Sequence, residues 1–325
     1  MKNKFFSNAP IHIMLILGGI AMALPFIWMI LTSGKTLVES TQIPPTIFPE
    51  KFQLSNYQQV LDLLPFMAFY INTFLMVVGR VIGSVLFSAM AAYACARLSF
   101  PGKNILFSLV LIQMMIPGSI FITPQYLLAQ KLGILNTIPA LILPGVVSAF
   151  GTFLLRQFFL GLPDELEEAA YLEGANIWTI FFKIMLPLAK SGLVALGIFT
   201  ALFAFKDLMW PLIVNTSIDK MPLAPGLANL QGQYATNFPQ LMAGSLLAIW
   251  PIVVIFIVFQ RKFIEGIATT GSNANPYHAY FRWYCNDKNY IYWCRKYYFC
   301  KKRIRRCDVN SKSTRCTYCI LSTST

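Results

Sequence analysis

Histidine and acidic side chains are scarce in this chain of 325 residues. It contains only His12 and His278, and 13 acidic residues stand against 26 basic ones. A histidine-rich metal site or a Ser-His or Cys-His triad cannot be assembled from so few residues. Charged residues make up 12% of the chain, whereas 56% is hydrophobic and 14% aromatic. This composition excludes an ordinary soluble domain and predicts a membrane protein that is not an enzyme.

Long apolar runs account for most of the chain. Each run meets the roughly 20 residues that a helix needs to cross a bilayer. We therefore predict an all-α polytopic membrane protein with six transmembrane helices and both ends on one side. The first run has no clear small-residue cleavage site and is expected to stay as an anchor. The runs are 11–33, 68–95, 104–127, 136–158, 189–214 and 240–259.

Basic residues are distributed unevenly between the two sides of this six-helix topology. Positive residues collect in cytoplasmic loops, so the side that they flank is predicted to be cytoplasmic. Loops 34–66, 128–135 and 215–239 on the other side balance their lysines with acids. The cytoplasmic flanks carry Lys2, Lys4, Arg97, Lys103, Arg156, Lys183, Lys190, Arg261 and Lys262.

An acidic segment lies between the fourth and fifth runs. Pro163 suits the first position of a helix of about three turns, and Gly174 can end that helix in a left-handed conformation. Asn176 can cap a second helix, which Pro187 is expected to break. The segment 161–188 therefore predicts a helix-turn-helix outside the lipid. Its glutamates alone would also fit an ordinary solvated face.

The spacing within this segment is similar to a known signature. Glu168, Ala169, Ala170, Gly174, Ile184, Leu186 and Pro187 fill the cytoplasmic loop pattern of binding-protein-dependent ABC importer permeases. The resemblance implies that the loop docks on an ATP-hydrolysing subunit, with Glu168 meeting a basic residue there. It further implies that Ala169 and Ala170 keep the helix slim and that Gly174 permits the turn. The implied coupling residues are Glu167, Glu168, Ala169, Ala170, Gly174, Ile184, Leu186 and Pro187.

Residues 1–271 also resemble the carbohydrate branch of these permeases, similar to the second membrane subunit of the maltose permease. This resemblance implies ATPase subunits, a second permease subunit and an extracytoplasmic sugar-binding protein as partners in a bacterial inner membrane. ATP would be hydrolysed by the partner, and this chain would bind no cofactor. Lys206-Asp207 departs from the pattern, because this branch more often has a neutral polar residue beside the acid. The matching segments are 56–57, 72–73, 91–93, 97–102, 210–212 and 263–271.

Polar residues inside the apolar runs are candidates for the transport pathway. An ionisable side chain in a bilayer is costly and often functional, which singles out Arg80 and Asp207. Asn72 and Gln113 are amides that a polar solute could contact. The alternatives are that the charges pair or extend to the surface and that the amides bond neighbouring helices.

The last 54 residues differ sharply from the rest of the chain. Residues 272–325 contain six of the seven cysteines and eleven of the basic residues, but only two acids. We predict two parts, a permease domain at 1–271 and an anomalous basic, cysteine-rich tail at 272–325 produced by a frameshift or read-through. Because the charge excess lies in the tail, no nucleic-acid partner is inferred. A zinc site and a membrane-surface segment are the alternatives for a genuine tail.

The tail sequence also leads to a prediction of the cargo, the solute that is transported. Back-translation of residues 286–321, read one base later, permits MTKITFIGAGSTIFAKNVLGDVMLTP. This product resembles the amino end of NAD-dependent glycosidases acting on α-galactosides or α-glucosides. An α-linked oligosaccharide such as melibiose, raffinose or a maltose-like sugar is therefore expected. The alternative function is a self-sufficient secondary transporter for a polar solute, which the lack of an evident inverted repeat disfavours.

Overall fold

The computed structural model of the chain describes residues 9–231 and 236–268. The tail 272–325, with Lys2 and Lys4, lies outside these residues, and the predicted division at 271 stays a prediction. Within the described part, the regular secondary structure is helical throughout and contains no strand, which confirms the all-α class. The helices are α1 (Ala9–Ser33), α2 (Leu37–Thr41), α3 (Ser55–Leu63), α4 (Phe66–Arg97), α5 (Lys103–Met115), α6 (Ile122–Lys131), α7 (Ile138–Ile142), α8 (Ala149–Leu160), α9 (Glu165–Leu172), α10 (Ile177–Ile180), α11 (Leu186–Leu188), α12 (Lys190–Lys206), α13 (Met209–Val214), α14 (Leu223–Ala228) and α15 (Phe238–Ala268).

Shorter helical turns connect some of these helices. Three are 3-10 turns, at Gly118–Phe121, Leu143–Gly145 and Ile218–Lys220. A π-helical segment, Phe181–Met185, joins α10 to α11.

The described helices account for two to five membrane spans by length and composition. Ile11–Ser33 and Phe66–Arg97 are long and apolar enough to cross alone. Three pairs of helical segments are bent at a short break, and they raise the count to five if each pair forms one broken span. These pairs are Lys103–Met115 with Gly118–Lys131, Ile138–Gly145 with Ala149–Leu160, and Ile177–Leu188 with Lys190–Lys206. The apolar part of the last helix, Phe238–Val254, is shorter. The membrane character agrees with the sequence analysis, and the count of six spans stays a prediction.

The run 104–127, predicted to be one span, is bent in the structure. The angle between α5 and the following helical segment, Gly118–Lys131, is 101°. Ile116 ends α5 in an extended conformation, with φ −88° and ψ 127°. Pro117 explains this, because a proline ring disfavours helical geometry in the residue before it and offers no N–H to continue the ladder.

The predicted span at 189–214 is also broken. Helix α12 ends at Lys206, Asp207 is extended with φ −66° and ψ 111°, and α13 begins at Met209. A continuous helix would need the N–H of residue 211 to bond to the carbonyl of Asp207, and Pro211 has no N–H. The Asp207 carboxylate instead accepts a hydrogen bond from the Trp210 N–H at 3.4 Å.

Helix α4 lies at the centre of the fold and contacts α7, α8, α12 and α14. One of its faces carries buried polar side chains at helical spacing: Asn72, Thr73, Arg80, Ser84 and Ser88. Such groups are stable in an apolar setting only when they are hydrogen-bonded. Asn72 donates to the carbonyls of Asp219 and Met221, and Thr73 accepts from the Leu223 N–H at 2.8 Å. Helix α4 is therefore joined to its neighbours by specific polar contacts as well as by packing.

Glycine permits the closest helix contacts on this frame. A Cβ atom at Gly226 of α14 would lie 2.4 Å from the buried ring of Phe69. A Cβ atom at Gly197 of α12 would lie 3.6 Å from Val81, which is an ordinary contact distance. The packing of α14 on α4 thus requires a residue without a side chain at position 226, whereas the packing of α12 on α4 at Gly197 does not.

Gly226→Ala should destabilise the protein by about 1–3 kcal/mol, because the Phe69 ring has to shift within a packed core. Gly197→Ala is the matched control and should change stability by less than about 1 kcal/mol. Thermal unfolding of the detergent-solubilised chain measures both. Equal melting temperatures for the two variants would show that the close approach at Gly226 does not limit stability.

Candidate functional site

The helix-turn-helix predicted between the fourth and fifth runs is present, with altered boundaries. Helix α9 has about two turns, because it begins at Glu165 and leaves Pro163 outside it. The Asn176 side chain accepts from the Thr179 N–H at 2.7 Å and caps α10, as predicted. The helical path continues through a π-helical segment and past Pro187, and it breaks at Ala189. Pro187 was expected to end the helix, but at an early position of the short α11 its missing N–H is tolerated.

Gly174 forms the predicted left-handed turn. Its φ is +80°, and no atom beyond Gly174 and its two chain neighbours lies within 4 Å of an added Cβ. The Gly174 N–H donates to the Tyr171 carbonyl and the Ala175 N–H to the Ala170 carbonyl, each at 3.0 Å. This bond pair is the Schellman pattern, which satisfies the last carbonyls of α9. Glycine is favoured here by backbone conformation, since a side chain would have room but would be strained.

The loop is attached to α4 by a buried acidic residue. Tyr93 donates its hydroxyl hydrogen to Glu167 Oε1 at 2.6 Å, and Arg97 Nε lies 3.6 Å from Glu167 Oε2. Arg97 also donates to the carbonyls of Phe159 and Leu162 and pairs with Asp164. These contacts fix the start of α9 to the end of α4. Glu167, predicted among the coupling residues, faces its own chain.

Apolar packing completes the attachment. Ala170 is buried in a core cluster with Tyr93, Phe159 and Phe181. Ile184 and Leu186 are partly buried against the same cluster, and Pro187 is exposed. The resemblance implied that Ala169 and Ala170 keep the helix slim for a partner. The structure places Ala170 against the chain's own core instead, with Ala169 half-buried.

The outer surface of the loop is acidic and apolar. Glu168 is exposed, Leu172 at the end of α9 is 90% exposed, and Trp178 is 58% exposed. The rings of Trp178 and Phe182 stack with their centroids 6.1 Å apart. Large apolar side chains on a short loop outside the apolar runs are typical of a docking surface. The sequence analysis did not select Leu172, Trp178 and Phe182. Large apolar residues in a segment predicted to lie outside the lipid were the signal that could have identified them.

The four predicted pathway residues do not form one site. Asn72 is buried and bonds the 219–221 segment, whereas Gln113 is exposed on α5. Arg80 and Asp207 are brought together, with Arg80 Nη1 lying 2.8 Å from Asp207 Oδ2. The sequence analysis left open whether these charges pair, and the structure pairs them. Among the described residues, no group of three or more His, Cys, Asp or Glu side chains is arranged to hold a metal ion.

The fold is shared with a chain of a solved membrane transporter. A chain of a bacterial ABC transporter involved in the import of the acidic polysaccharide alginate superposes with a TM-score of 0.67. The two share 22% sequence identity over 81% of this chain and 98% of that chain. At this identity the likeness concerns the fold alone.

Sequence comparison gives the family. Residues 84–268 match the model of the binding-protein-dependent transport system inner membrane component, and this match spans more than half of the chain. The chain belongs to this family. The family range includes α9, α10 and their turn.

The curated relatives are permeases of uptake systems. The arabinooligosaccharides transport system permease protein AraQ of Halalkalibacterium halodurans is 46% identical over 191 residues, 59% of this chain and 68% of the relative. The diacetylchitobiose uptake system permease protein NgcG of Streptomyces coelicolor is 32% identical over 265 residues, 80% of this chain and 87% of the relative. The sn-glycerol-3-phosphate transport system permease protein UgpE of Pectobacterium atrosepticum is 31% identical over 264 residues, which are 79% of this chain and 94% of the relative. The chain is thus a sugar ABC importer permease and not an enzyme, as predicted, and the secondary-transporter alternative is set aside.

Glu167→Ala should lower the free energy of unfolding by about 3 kcal/mol, because it leaves the Tyr93 hydroxyl without its acceptor and Arg97 with one acid fewer. Tyr93→Phe removes one bond and should cost about 1 kcal/mol. Glu165→Ala, at an exposed position on the same helix, is the control. Thermal unfolding together with protease cleavage in the loop measures the effect. A Glu167→Ala variant as stable as the control would refute the attachment role.

Proposed function

We propose that the 161–188 loop docks on the ATPase subunits of the importer and couples ATP hydrolysis to solute movement. The single observation that carries the proposal is the exposed surface formed by Glu168, Leu172 and Trp178 on a loop whose opposite side is fixed to α4. An apolar anchor beside a charged group is a common composition for a binding hot spot. Glu168 would pair with a basic residue of the ATPase, and Leu172 would enter an apolar pocket.

The remaining partners follow from the function of a permease in such a system. A second permease subunit and an extracytoplasmic sugar-binding protein would complete the importer in the bacterial inner membrane. The positive-inside distribution of lysine and arginine supports a cytoplasmic location for the loop and both chain ends, with six spans. The transport mechanism would be alternating access, in which closure of the ATPases moves the loop and reorients the spans.

The proposed coupling residues divide between two tasks. Glu168 and the exposed end of α9 would contact the ATPase. Glu167, Ala170, Ile184 and Leu186 would transmit the movement, because their side chains contact the chain's own core. Gly174 would hold the turn between the two helices, and Ala169 and Pro187 would border the contact.

Glu168→Lys should abolish coupled uptake or prevent assembly, because it places a cation where a basic partner residue is expected. Glu50→Lys makes the same charge change at an exposed position in the 34–66 loop and is the control. Co-purification of the ATPase subunits and the ratio of ATP hydrolysed to sugar imported measure the effect. A Glu168→Lys importer with normal assembly and normal coupling would overturn the docking assignment.

We further propose an α-linked oligosaccharide such as melibiose, raffinose or a maltose-like sugar as the cargo. The support is the glycosidase-like product that the tail sequence permits in the next reading frame. Relatives named for arabinooligosaccharides and diacetylchitobiose are consistent with an oligosaccharide cargo without indicating the linkage.

Sequencing of independently isolated DNA, from codon 260 to a few hundred bases beyond codon 325, tests this cargo. We expect a long reading frame that begins at the offset methionine and continues as a glycosidase. A genome without that frame would remove the basis for an α-linked sugar and would make the tail genuine protein. Whether residues 1–271 work as a sugar permease does not depend on the result.

A further inference from the structure

The break between α12 and α13 is held by a buried arginine. Arg80 of α4 is 7% exposed; its Nη1 lies 2.8 Å from Asp207 Oδ2, and its Nε donates to the Leu141 carbonyl at 2.7 Å. Asp207 is the extended residue between the two helices. One guanidinium therefore joins α4, the end of α7 and the break.

The surrounding backbone is shaped to admit this guanidinium. A Cβ atom at Gly145 would lie 2.6 Å from Arg80 Cδ. The Trp210 indole donates to the Ala140 carbonyl at 2.9 Å, which fixes α13 to α7. The arrangement is thus a built site at which four segments of the chain meet.

One donor of this site is left over. Arg80 Nη2 is buried and has no hydrogen-bond partner among the described residues. A buried charged donor without an acceptor is costly, so a native structure retains one mainly where water, an ion or a ligand completes it. The spare N–H groups belong to the same guanidinium that binds Asp207 at the break.

Lys206 is a second cationic residue next to the break. It is exposed at the last position of α12, directly before Asp207. From Lys190 to Lys206 the helix rises about 24 Å, within the roughly 30 Å thickness of a bilayer core. Ionisable side chains in such segments face the protein interior or a water-filled cavity and not the lipid tails. The two cations and one carboxylate leave a net positive charge at the break.

We propose that the break at Asp207 is a solute-contact point of the transport pathway. Lys206 Nζ and Arg80 Nη2 donate hydrogen bonds there to the oxygen atoms of a carbohydrate, either hydroxyls or a carboxylate. The Arg80–Asp207 pair positions the break so that both donors reach the solute. This inference rests on the proposed importer function and adds a contact point for the cargo. Broken helices with charged or polar ends are a common way to build a solute site inside a membrane.

Labelling of lysines in the assembled importer tests whether Lys206 faces water. The full complex in lipid nanodiscs is treated with a water-soluble, membrane-impermeant amine reagent, and modified lysines are identified by mass spectrometry. Lys206 should react, as should the exposed Lys131, whereas Lys35, which is 1% exposed, should not. An unmodified Lys206 beside a modified Lys131 would place Lys206 against lipid or the second permease subunit and would overturn the proposal.

Protection by sugar identifies the class of acceptor. Raffinose serves as a neutral trisaccharide and trigalacturonate as an acidic one. Slowing of Lys206 modification by a factor of about three or more with raffinose indicates hydroxyl acceptors, and slowing with trigalacturonate alone indicates a carboxylate. Lys131 should keep its rate in both cases. If neither sugar slows the reaction at Lys206, the solute contact is refuted.

The positioning role of Arg80 needs its own variants. Arg80→Gln and Asp207→Asn should each abolish the protection of Lys206, and the double variant should behave like either single one, because residues that act as a pair are not additive. Ser84→Ala removes a neighbouring hydrogen bond between α4 and α12, from Thr200 at 3.4 Å, and should preserve protection. Loss of protection in Ser84→Ala as well would reduce the role of Arg80 to general packing.

Measurements on the same preparation distinguish a failure of the proposed coupling function from a failure of the solute contact at the break. Failure of the ATPase subunits to co-purify with the chain would contradict the proposed docking and coupling. A complex that assembles and imports sugar with Lys206 unreactive would contradict only the contact point at the break.

Discussion

The buried polar face of α4 is the constraint on which the rest of the structure depends. Polar side chains in an apolar setting must find hydrogen-bond partners, and those on α4 find them on different neighbours. Asn72 reaches the segment that precedes α14, Arg80 reaches α7 and the α12–α13 break, and Tyr93 reaches α9. Because the three residues lie along a single helix of 32 residues, the neighbouring segments are all positioned relative to α4. Packing alone would allow the neighbouring helices to slide, whereas directional bonds fix their positions along the helix.

The loop at 161–188 combines a fixed inner side with an accessible outer side. Glu167 and Ala170 face the chain's own core, while Glu168 and Leu172 face outward from the same two-turn helix. Adjacent residues on a helix point about 100° apart, so one short helix can serve both purposes. The signature of two acidic residues followed by two small ones is therefore divided between two faces of the helix. Only the face directed outward is available to a partner.

The local features of the fold were predictable from sequence, and the long-range pairings were not. The turn at Gly174 and the cap at Asn176 followed from residue types whose backbone preferences act within a few positions. The breaks near Pro117 and Asp207 were missed because apolar composition extends across them, although the prolines were visible signals. The pairing of Tyr93 with Glu167 joins residues 74 positions apart. Nothing in either neighbourhood specifies that partner, since a buried tyrosine can bond to any nearby acceptor.

The firm attachment of α9 to one end of α4 gives α4 the geometry of a lever. With 32 residues, α4 is about 48 Å long. A tilt of about 5° about one end displaces the other by ~4 Å at the rise per residue of an α-helix. That displacement exceeds the length of a hydrogen bond, which is about 3 Å. A small rotation at the loop is thus large enough to break and remake the polar contacts at the far end of the helix, where Asn72 meets its partners.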